Sequence, residues 1–599
     1  MRIPVLLTLW SSCLMAHQLP AQQSPALAAT PTLHANAKLV VLDVVVTDHD
    51  HHPIHNLKQP DFTILEGHRQ QTIKSFEEHT PPSAAEAAKL PPLPPLPAGT
   101  FSNYTPTPPN SALNVLLIDT LNTPATSQVF MRRQVLKYLQ NAKPGSNIAI
   151  FGLSTDLVML QGFTTDPEVL KAAALKLTGG LSPFLNASAG MGMHDSGDGK
   201  GQPPPAPPST ETTAALQLQA ILDFVDSFED TARIRTSLNG MNQLAHYLSA
   251  FPGRKNLVWL SGGFPLSISP DAVHPSIDPF VGMASSDQEY RETIRLFASS
   301  QIAVYPIDAR GLMIGTGSVR KDMEQADAHS SMMQMAHDTG GRAAFNNNGL
   351  AQAVDTAIED GSSYYTIAYR PTDAKEAGRF RTTEVKLAQS GCLLEYRHSY
   401  IEDDPNRAGA AETAANSPAP GSSLLIRAMI HGAPASSEML FKARVLPTAS
   451  ASTSGQRRAL ASDGPPARYA IDFAVLPSDI SYTTTPDGLR HFNLEFIALV
   501  YRPDGTLANR TGNILKGTLT PAQYAALQQN GFPNHLEIDV PAKSNFTIRL
   551  GVHDRSANRV GTIELPVATV SKLPAATIAG TSSPSTAPTP GPGESGRAK

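Results

Sequence analysis

The stretch "LLIDTLNTP" (116–124) sets a carboxylate, Asp119, at the end of a fully apolar run, followed by Asn122, Thr123 and Pro124. A carboxylate at the C-terminal end of a buried strand, with hydroxyl groups in the next loop, suits a hard divalent cation that takes oxygen ligands. The other chemical candidates are fewer. "HDHHPIH" gathers His49, His51, His52 and His55, but it sits at an expected hairpin turn with no cysteine beside it, and a solvated turn explains it. "GTGSVR" (315–320) resembles a glycine phosphate loop, yet it lacks the lysine and does not directly follow a strand, so it reads as a loop. No H-E-x-x-H, G-x-S-x-G or cysteine–histidine arrangement stands in a suitable context. The motifs give no argument for an enzyme.

Composition narrows the partners. At 599 residues the chain is too long for one core, and roughly three or four domains are expected. A hydrophobic content of 41% is ample for burial, and a net charge of −5 supplies no field for nucleic acid or an anionic membrane. Residues 1–22 carry one positive residue, Arg2, a short apolar stretch and a small residue at Ala21, the layout of a secretory signal. The apolar run is shorter than the ~20 residues of a membrane span. Trp10, three residues ahead of Cys13, argues against a lipid attachment there. The mature chain is expected to be extracytoplasmic, periplasmic or secreted. Removal of the leader leaves one thiol, Cys392, in the apolar "SGCLLEYRHSY", read as a buried structural cysteine.

The elements that must position Asp119 follow from periodicity. Residues 38–78 alternate as strands do, and 79–110, with "PPLPPLP" and "TPTPPN", read as a proline-rich linker. Over 111–360 strands and helices take turns, which predicts a doubly wound, mainly parallel sheet with helices on both faces. The strand "DLVMLQGF" follows "NIAIFGLS" so closely that it is expected as an antiparallel edge. Residues 179–210 are Gly/Pro/Ser-rich and read as a disordered insertion. A second β segment, 361–402, is expected to pair with 38–78, with Val41, Val44 and Val46 facing Tyr365, Ile367 and Tyr369. A linker (403–421), a β-sandwich of short strands (422–570, beginning with a strand "SLLIRAMIHG") and a disordered tail (571–599) complete the chain.

Long collinear blocks, among them "VVLDVVVTDHDHHPIHNLKQPDFTILEGHRQQTIKSFEE", "NVLLIDTLNT", "PGRKNLVWLSGGF", "IAVYPIDARGL" and "YYTIAYRPTDAKEAGRFRTTEVKL", give a resemblance to secreted proteins of acidobacterial type that carry a von Willebrand factor type A domain. The resemblance implies an α/β type A fold for 111–360 flanked by Ig-like β domains. In metal-binding type A domains a D-x-S-x-S loop, a later threonine and a later aspartate hold Mg²⁺. On this chain Asp119 and Thr123 match, Leu121 replaces the middle hydroxyl, and the threonine falls at Thr231 or Thr236. The last position falls in "WLSGGF", where Ser261 and Gly262 bring no carboxylate. The resemblance therefore implies a degenerate site around Asp119, Thr123, Thr236 and Ser261, with no cofactor as the expectation and Mg²⁺ as the alternative. Restoring oxygens through Leu121→Ser and Gly262→Asp should then strengthen metal binding. The function implied is binding or adhesion toward a protein or cell-envelope partner. A periplasmic scaffold without a discrete ligand, or an unrecognised extracytoplasmic hydrolase, are the alternatives.

Overall fold

The computed structural model describes residues 39–81, 96–104, 112–142, 146–175, 232–264, 279–311, 319–345, 349–372, 380–401, 424–448, 466–541 and 545–575. The expected leader, the 179–210 insertion, the 403–421 linker and all but the first residues of the tail lie outside them. The described residues belong to one compact unit, Leu39–Lys599.

Four short strands open it: β1 (Val40–Thr47), β2 (Phe62–Glu66), β3 (Arg69–Gln71) and β4 (Ile73–His79). Gly67 and His68, both with positive φ (52° and 66°), form the two-residue turn between β2 and β3. A further strand, β5 (Thr100–Ser102), lies inside the expected linker. Proline density hides it, because only three residues are needed to make a ladder.

The central unit begins with β6 (Leu113–Asp119) and α1 (Ala125–Asn141). It continues through β7 (Ile148–Leu153), β8 (Leu157–Thr164), α2 (Pro167–Leu175) and a helix over 232–248, α3. After β9 (Lys255–Ser261) come α4 (Pro279–Ser299), β10 (Ile302–Asp308), α5 (Val319–Thr339) and α6 (Leu350–Asp360). The sheet order is β10-β9-β6-β7-β8. All neighbours are parallel except β7 and β8. Only residues 154–156 join those two, too few for a parallel crossover. Every residue of β6, β9 and β10 is buried, because helices cover both faces. Leu113, Val115 and Leu117 face a core with α3, α4 and α5, while Leu116 and Ile118 face α1, α2 and α6. Beyond α5 the segment "RAAF" (342–345) adds one parallel bridge, Ile307 to Ala344.

The chain then returns to its beginning. Strands β11 (Tyr364–Tyr369), β12 (Phe380–Leu387), β13 (Leu393–Glu395) and β14 (Ser399–Ile401) join the first four in two sheets, β13-β1-β11-β4 and β14-β12-β2-β3. Val40, Leu42, Val44 and Val46 share a core with Phe62, Ile64, Tyr365, Ile367, Tyr369 and Val385. Val41, assigned to that face from sequence, points the other way and is 37% exposed. Strand alternation is strictly two, so residue 41 cannot share a face with 44 and 46.

The last region opens with α7 (Leu424–Ala428), where a strand was expected. A five-residue apolar run does not reveal its period. Here Leu425, Ala428 and Met429 pack on Leu499 and Val560. Two sheets follow. Beside β5 lie β15 (Phe441–Pro447), β16 (Pro466–Val475) and, later, β20 (Phe532–Pro541); the other sheet holds β17 (Thr483–Thr484), β18 (Arg490–Tyr501), β19 (Leu507–Leu519), β21 (Thr547–Asp554) and β22 (Arg559–Pro566). One apolar core runs through both. This region is bonded to the central unit. Met159 N donates to Gly432 O (3.2 Å), Ser437 Oγ to Tyr247 O (2.8 Å), and His246 Nδ1 lies 2.6 Å from Glu438 Oε1. Among the described residues no helix is long and apolar enough to cross a membrane.

Candidate functional site

Parallel strands end on one edge, so Asp119 of β6, Ser261 of β9 and Asp308 of β10 stand side by side there. Ser261 and Asp308 are direct register partners. Beyond Asp119 the chain turns sharply. Thr120 N and Leu121 N both donate to Leu153 O, and Thr123 Oγ1 donates to Asp119 O at 2.5 Å. Asn122 N returns to Asp119 Oδ1 (2.9 Å), closing an Asx-type turn before α1.

The carboxylate of Asp119 is fully buried and meets four donors. Besides Asn122 N on Oδ1, Oδ2 accepts from Asn122 Nδ2 (2.8 Å) and Trp259 Nε1 (3.0 Å) and lies 2.9 Å from Ser261 Oγ, whose single proton is also within reach of Gly263 O (2.9 Å). An ionised carboxylate has about four acceptor positions, two on each oxygen; three donor groups crowd Oδ2 and one meets Oδ1. Burial pushes the Asp119 carboxyl above its ordinary range, against the hydrogen bonds from Asn122, Ser261 and Trp259 that favour the charged form.

Of the candidate set, the structure brings Asp119, Thr123 and Ser261 together. Thr123 Oγ1 also accepts from Gly262 N (2.8 Å), tying the β6 loop to the β9 loop. Thr236 does not join them: its hydroxyl donates to Ala232 O (2.8 Å) of its own helix. The neighbouring Ser237 does, accepting from Asn122 Nδ2 at 2.7 Å. Thr231 lies outside the described residues. Leu121 is a core residue with no exposure.

This donor set does not fit a dication. An indole N–H, an amide N–H and a backbone N–H point at the carboxylate where a metal would need lone pairs. The acceptors left over are Asn122 Oδ1, buried without a hydrogen-bond partner, and the second lone pair of Asp119 Oδ1, and one neutral oxygen beside a single carboxylate is a poor site for Mg²⁺. The proposed restoration also fails on space. A Cβ at Gly262 would lie 2.8 Å from Pro124 Cδ and 2.9 Å from Asn122 O and Thr123 Cα. A side chain at 262 therefore has to displace the loop it was meant to complete.

One strand over, sequence reading missed a second polar cluster. Asp308 accepts from Arg310 N (2.9 Å), Arg310 Nε (3.0 Å) and Arg310 Nη2 (2.8 Å), and lies 2.7 Å from His329 Nε2. The His329 ring stacks on Phe345. Burial alone would raise the Asp308 carboxyl, but hydrogen bonds from His329 and Arg310, with the charge of Arg310, hold it below its ordinary range. "PIDAR" carries the same apolar-run-then-aspartate signal as "LLIDTL", so Asp308 was findable by the same rule.

Three of the four histidines of "HDHHPIH" take separate partners. His51 meets Arg342, His52 lies 3.4 Å from Asp48, and His55 lies 3.2 Å from Glu78. Among the described residues no three His, Cys, Asp or Glu side chains cluster to hold a metal. Cys392, expected to be buried, is free and half-buried, packing at the margin of the core of β1 and β11.

No protein-family model matches this chain, and no curated protein does. Among solved structures 73 chains match. They include an aerotolerance-related membrane protein from Bacteroides fragilis, 13% identical with TM-score 0.22, covering 41% of this chain and 98% of that one. The PilB minor pilin of Streptococcus sanguinis is 13% identical with TM-score 0.24, covering 43% of this chain and 64% of the pilin, just under two thirds of its length. A von Willebrand factor type A protein from Catenulispora acidiphila is 9% identical with TM-score 0.21, covering 51% and 72%. Similarity this low carries no argument about role. The chain's own strand order is what makes it a mixed α/β protein with several sheets.

Proposed function

We propose that this chain is an exported, adhesion-type binding protein that recognises a protein or cell-envelope partner without a metal ion. The observation that carries this reading is the crowded Asp119 carboxylate: four of the protein's own donor groups meet it, three of them on one oxygen. In this reading 111–360 is a type A domain, 38–78 with 361–402 form one Ig-like sandwich, and 422–570 form another. The leader is cleaved, and the mature chain works in the periplasm or outside the cell. Ligands of open α/β sheets sit beyond the carboxyl ends of the strands, and here that edge is held rigid by the ties among 119–123, Ser237 and 261–263. A second reading, an assembly scaffold, is favoured by the bonds that join the C-terminal region to the central unit.

The test uses the full chain, immobilised and titrated with envelope fractions of a producing bacterium. Saturable binding unchanged by EDTA is expected. Thr126→Arg with Thr155→Arg, two exposed positions on that edge, should weaken it about tenfold with no change in Tm. Binding abolished by EDTA would overturn the metal-independent reading, and binding indifferent to both substitutions would favour the scaffold.

A further inference from the structure

The strand β5 belongs to a segment more than 300 residues upstream of its partner, as the separation of 338 between Asn103 and Phe441 records. It pairs antiparallel with β15, Thr100 opposite Arg444, Phe101 opposite Ala443 and Ser102 opposite Lys442. Val445 N extends the ladder by donating to Gly99 O (2.8 Å). Three side-chain features make the match specific rather than generic. Asn103, 8% exposed, uses both ends of its amide: Nδ2 donates to Ser436 O (3.0 Å) and Met439 O (2.8 Å), and Oδ1 accepts from Phe441 N (3.0 Å). Phe101 packs against the C-terminal core. Gly99 has φ +76°, and a Cβ there would lie 2.7 Å from Leu446 Cδ2, 2.9 Å from Leu573 Cδ1 and 3.0 Å from Val445 O.

We propose that the outer edge of β15, with 436–439 and Leu573, is a strand-acceptor site for an extended peptide of pattern Gly-x-aromatic-small-Asn, occupied in this chain by its own residues 99–103. The main-chain ladder supplies affinity. Specificity comes from the close approach at glycine, the apolar seat for the aromatic ring and the amide clamp at asparagine. Tethering makes the pairing of the resident strand intramolecular, so it outcompetes dilute free peptide. Pairing in cis fixes the proline-rich stretch to the C-terminal region and makes that region's outer sheet dependent on a strand from the other end of the chain.

The test keeps the full chain and inserts protease sites after Lys89 and after Asn110. After double cleavage the excised piece should co-elute with the remainder on size exclusion. A labelled synthetic peptide of residues 96–104 should exchange into the cleaved protein and not into the intact one. Peptides carrying Gly99→Val, Phe101→Ala or Asn103→Ala should compete about tenfold more weakly. Loss of the piece from a folded remainder, or equal competition by all peptides, would overturn the site. A concentration-dependent dimer of the intact chain that Asn103→Ala abolishes would overturn donation in cis, because the strand would then come from a second copy. A reading free of cleavage is hydrogen exchange in the intact Asn103→Ala chain. Amides of Phe441 and Val445 should exchange about tenfold faster or more while those of β9 do not change, and unchanged exchange at β15 would sink the proposal.

Discussion

The two ends of the central sheet bury opposite charges by the same means. At the C-terminal edge Asp119 is an anion held by N–H and O–H groups, with no basic side chain among its donors. At the N-terminal end Arg254 and Lys255, each 2% exposed, are cations held mostly by neutral oxygens. Arg254 Nη2 donates to Gly340 O (2.8 Å) and Tyr305 Oη (3.0 Å), Nε to Asn256 Oδ1 (3.2 Å) and Nη1 to Asp43 O (3.4 Å). Lys255 Nζ donates to Ser300 O (2.8 Å). Neutral groups make these hydrogen bonds at both ends, while at the cationic end Asp43 and Glu395 also act on Arg254, and Asp43 on Lys255, through charge. What differs is which parts of the chain they join. The Asp119 centre ties loops within the central unit, whereas Arg254 also reaches Asp43 on β1 and, through its backbone N–H, Tyr364 Oη on β11. The anion organises an edge; the cation fastens one region to another.

That contrast predicts different failures. Arg254→Ala leaves several buried acceptors unmatched and should cost about 3–5 kcal/mol. It should also split urea unfolding into two transitions, followed by tryptophan and tyrosine fluorescence; a single shifted transition would mean that Arg254 does not couple the regions. Asp119→Ala strands the donors of Asn122, Trp259 and Ser261 and should cost about 2–4 kcal/mol while unfolding stays cooperative. Millimolar Mg²⁺ should leave Tm unchanged in wild type and variant alike, and a metal-dependent rise in wild type would contradict the metal-independent reading of this carboxylate. Gly262→Ala should cost about 1–3 kcal/mol by overpacking against Pro124 and Asn122, and Gly262→Asp should create no Mg²⁺ affinity in calorimetry.

The smallest effect concerns pH, and its sign separates the ends. Burial depresses the Lys255 ammonium to about 8 in the folded chain, with Asp43 opposing, from an ordinary 10.5. A folded value below the unfolded one means the folded state holds fewer protons between these values, so stability rises with pH across that window. Wild type should gain about 1 kcal/mol over Lys255→Met between pH 8 and 9, read from paired denaturant curves. At Asp119 the folded value is raised, so its contribution is present at acid pH and is lost as pH rises through the folded value. Parallel slopes for Lys255→Met and wild type would show that the ammonium is not buried in its charged form.

Much of this arrangement was legible. Fully apolar runs mark β6, β9 and β10 because strands covered on both faces need no alternation, and the short 154–156 connection dictates an antiparallel β8. Asp119 was found because a charge closing such a run needs partners. The partners were harder. Trp259 reaches Asp119 from the neighbouring strand, two residues before its end, and no local pattern announces an indole donor. Between Thr236 and Ser237 the helical phase decides: Ile234, Leu238, Met241, Ala245 and Leu248 face the core, and 237 falls with them three residues after 234, whereas 236 falls outside. Strand β5 and helix α7 were not legible, since a three-residue ladder and a five-residue helix each take their conformation from distant contacts.

The return of β11 to β1 carries a cost in time. Asp43 accepts a hydrogen bond from Thr366, 323 residues later. At about 5–20 residues per second of synthesis, that partner follows roughly 16–65 s after it. Throughout this interval the valine-rich face of β1 has no sheet to join, and a closure over so long a loop comes late in folding. The first strands of this chain are therefore among the last to reach their final pairing, and for that period they are its most aggregation-exposed segment.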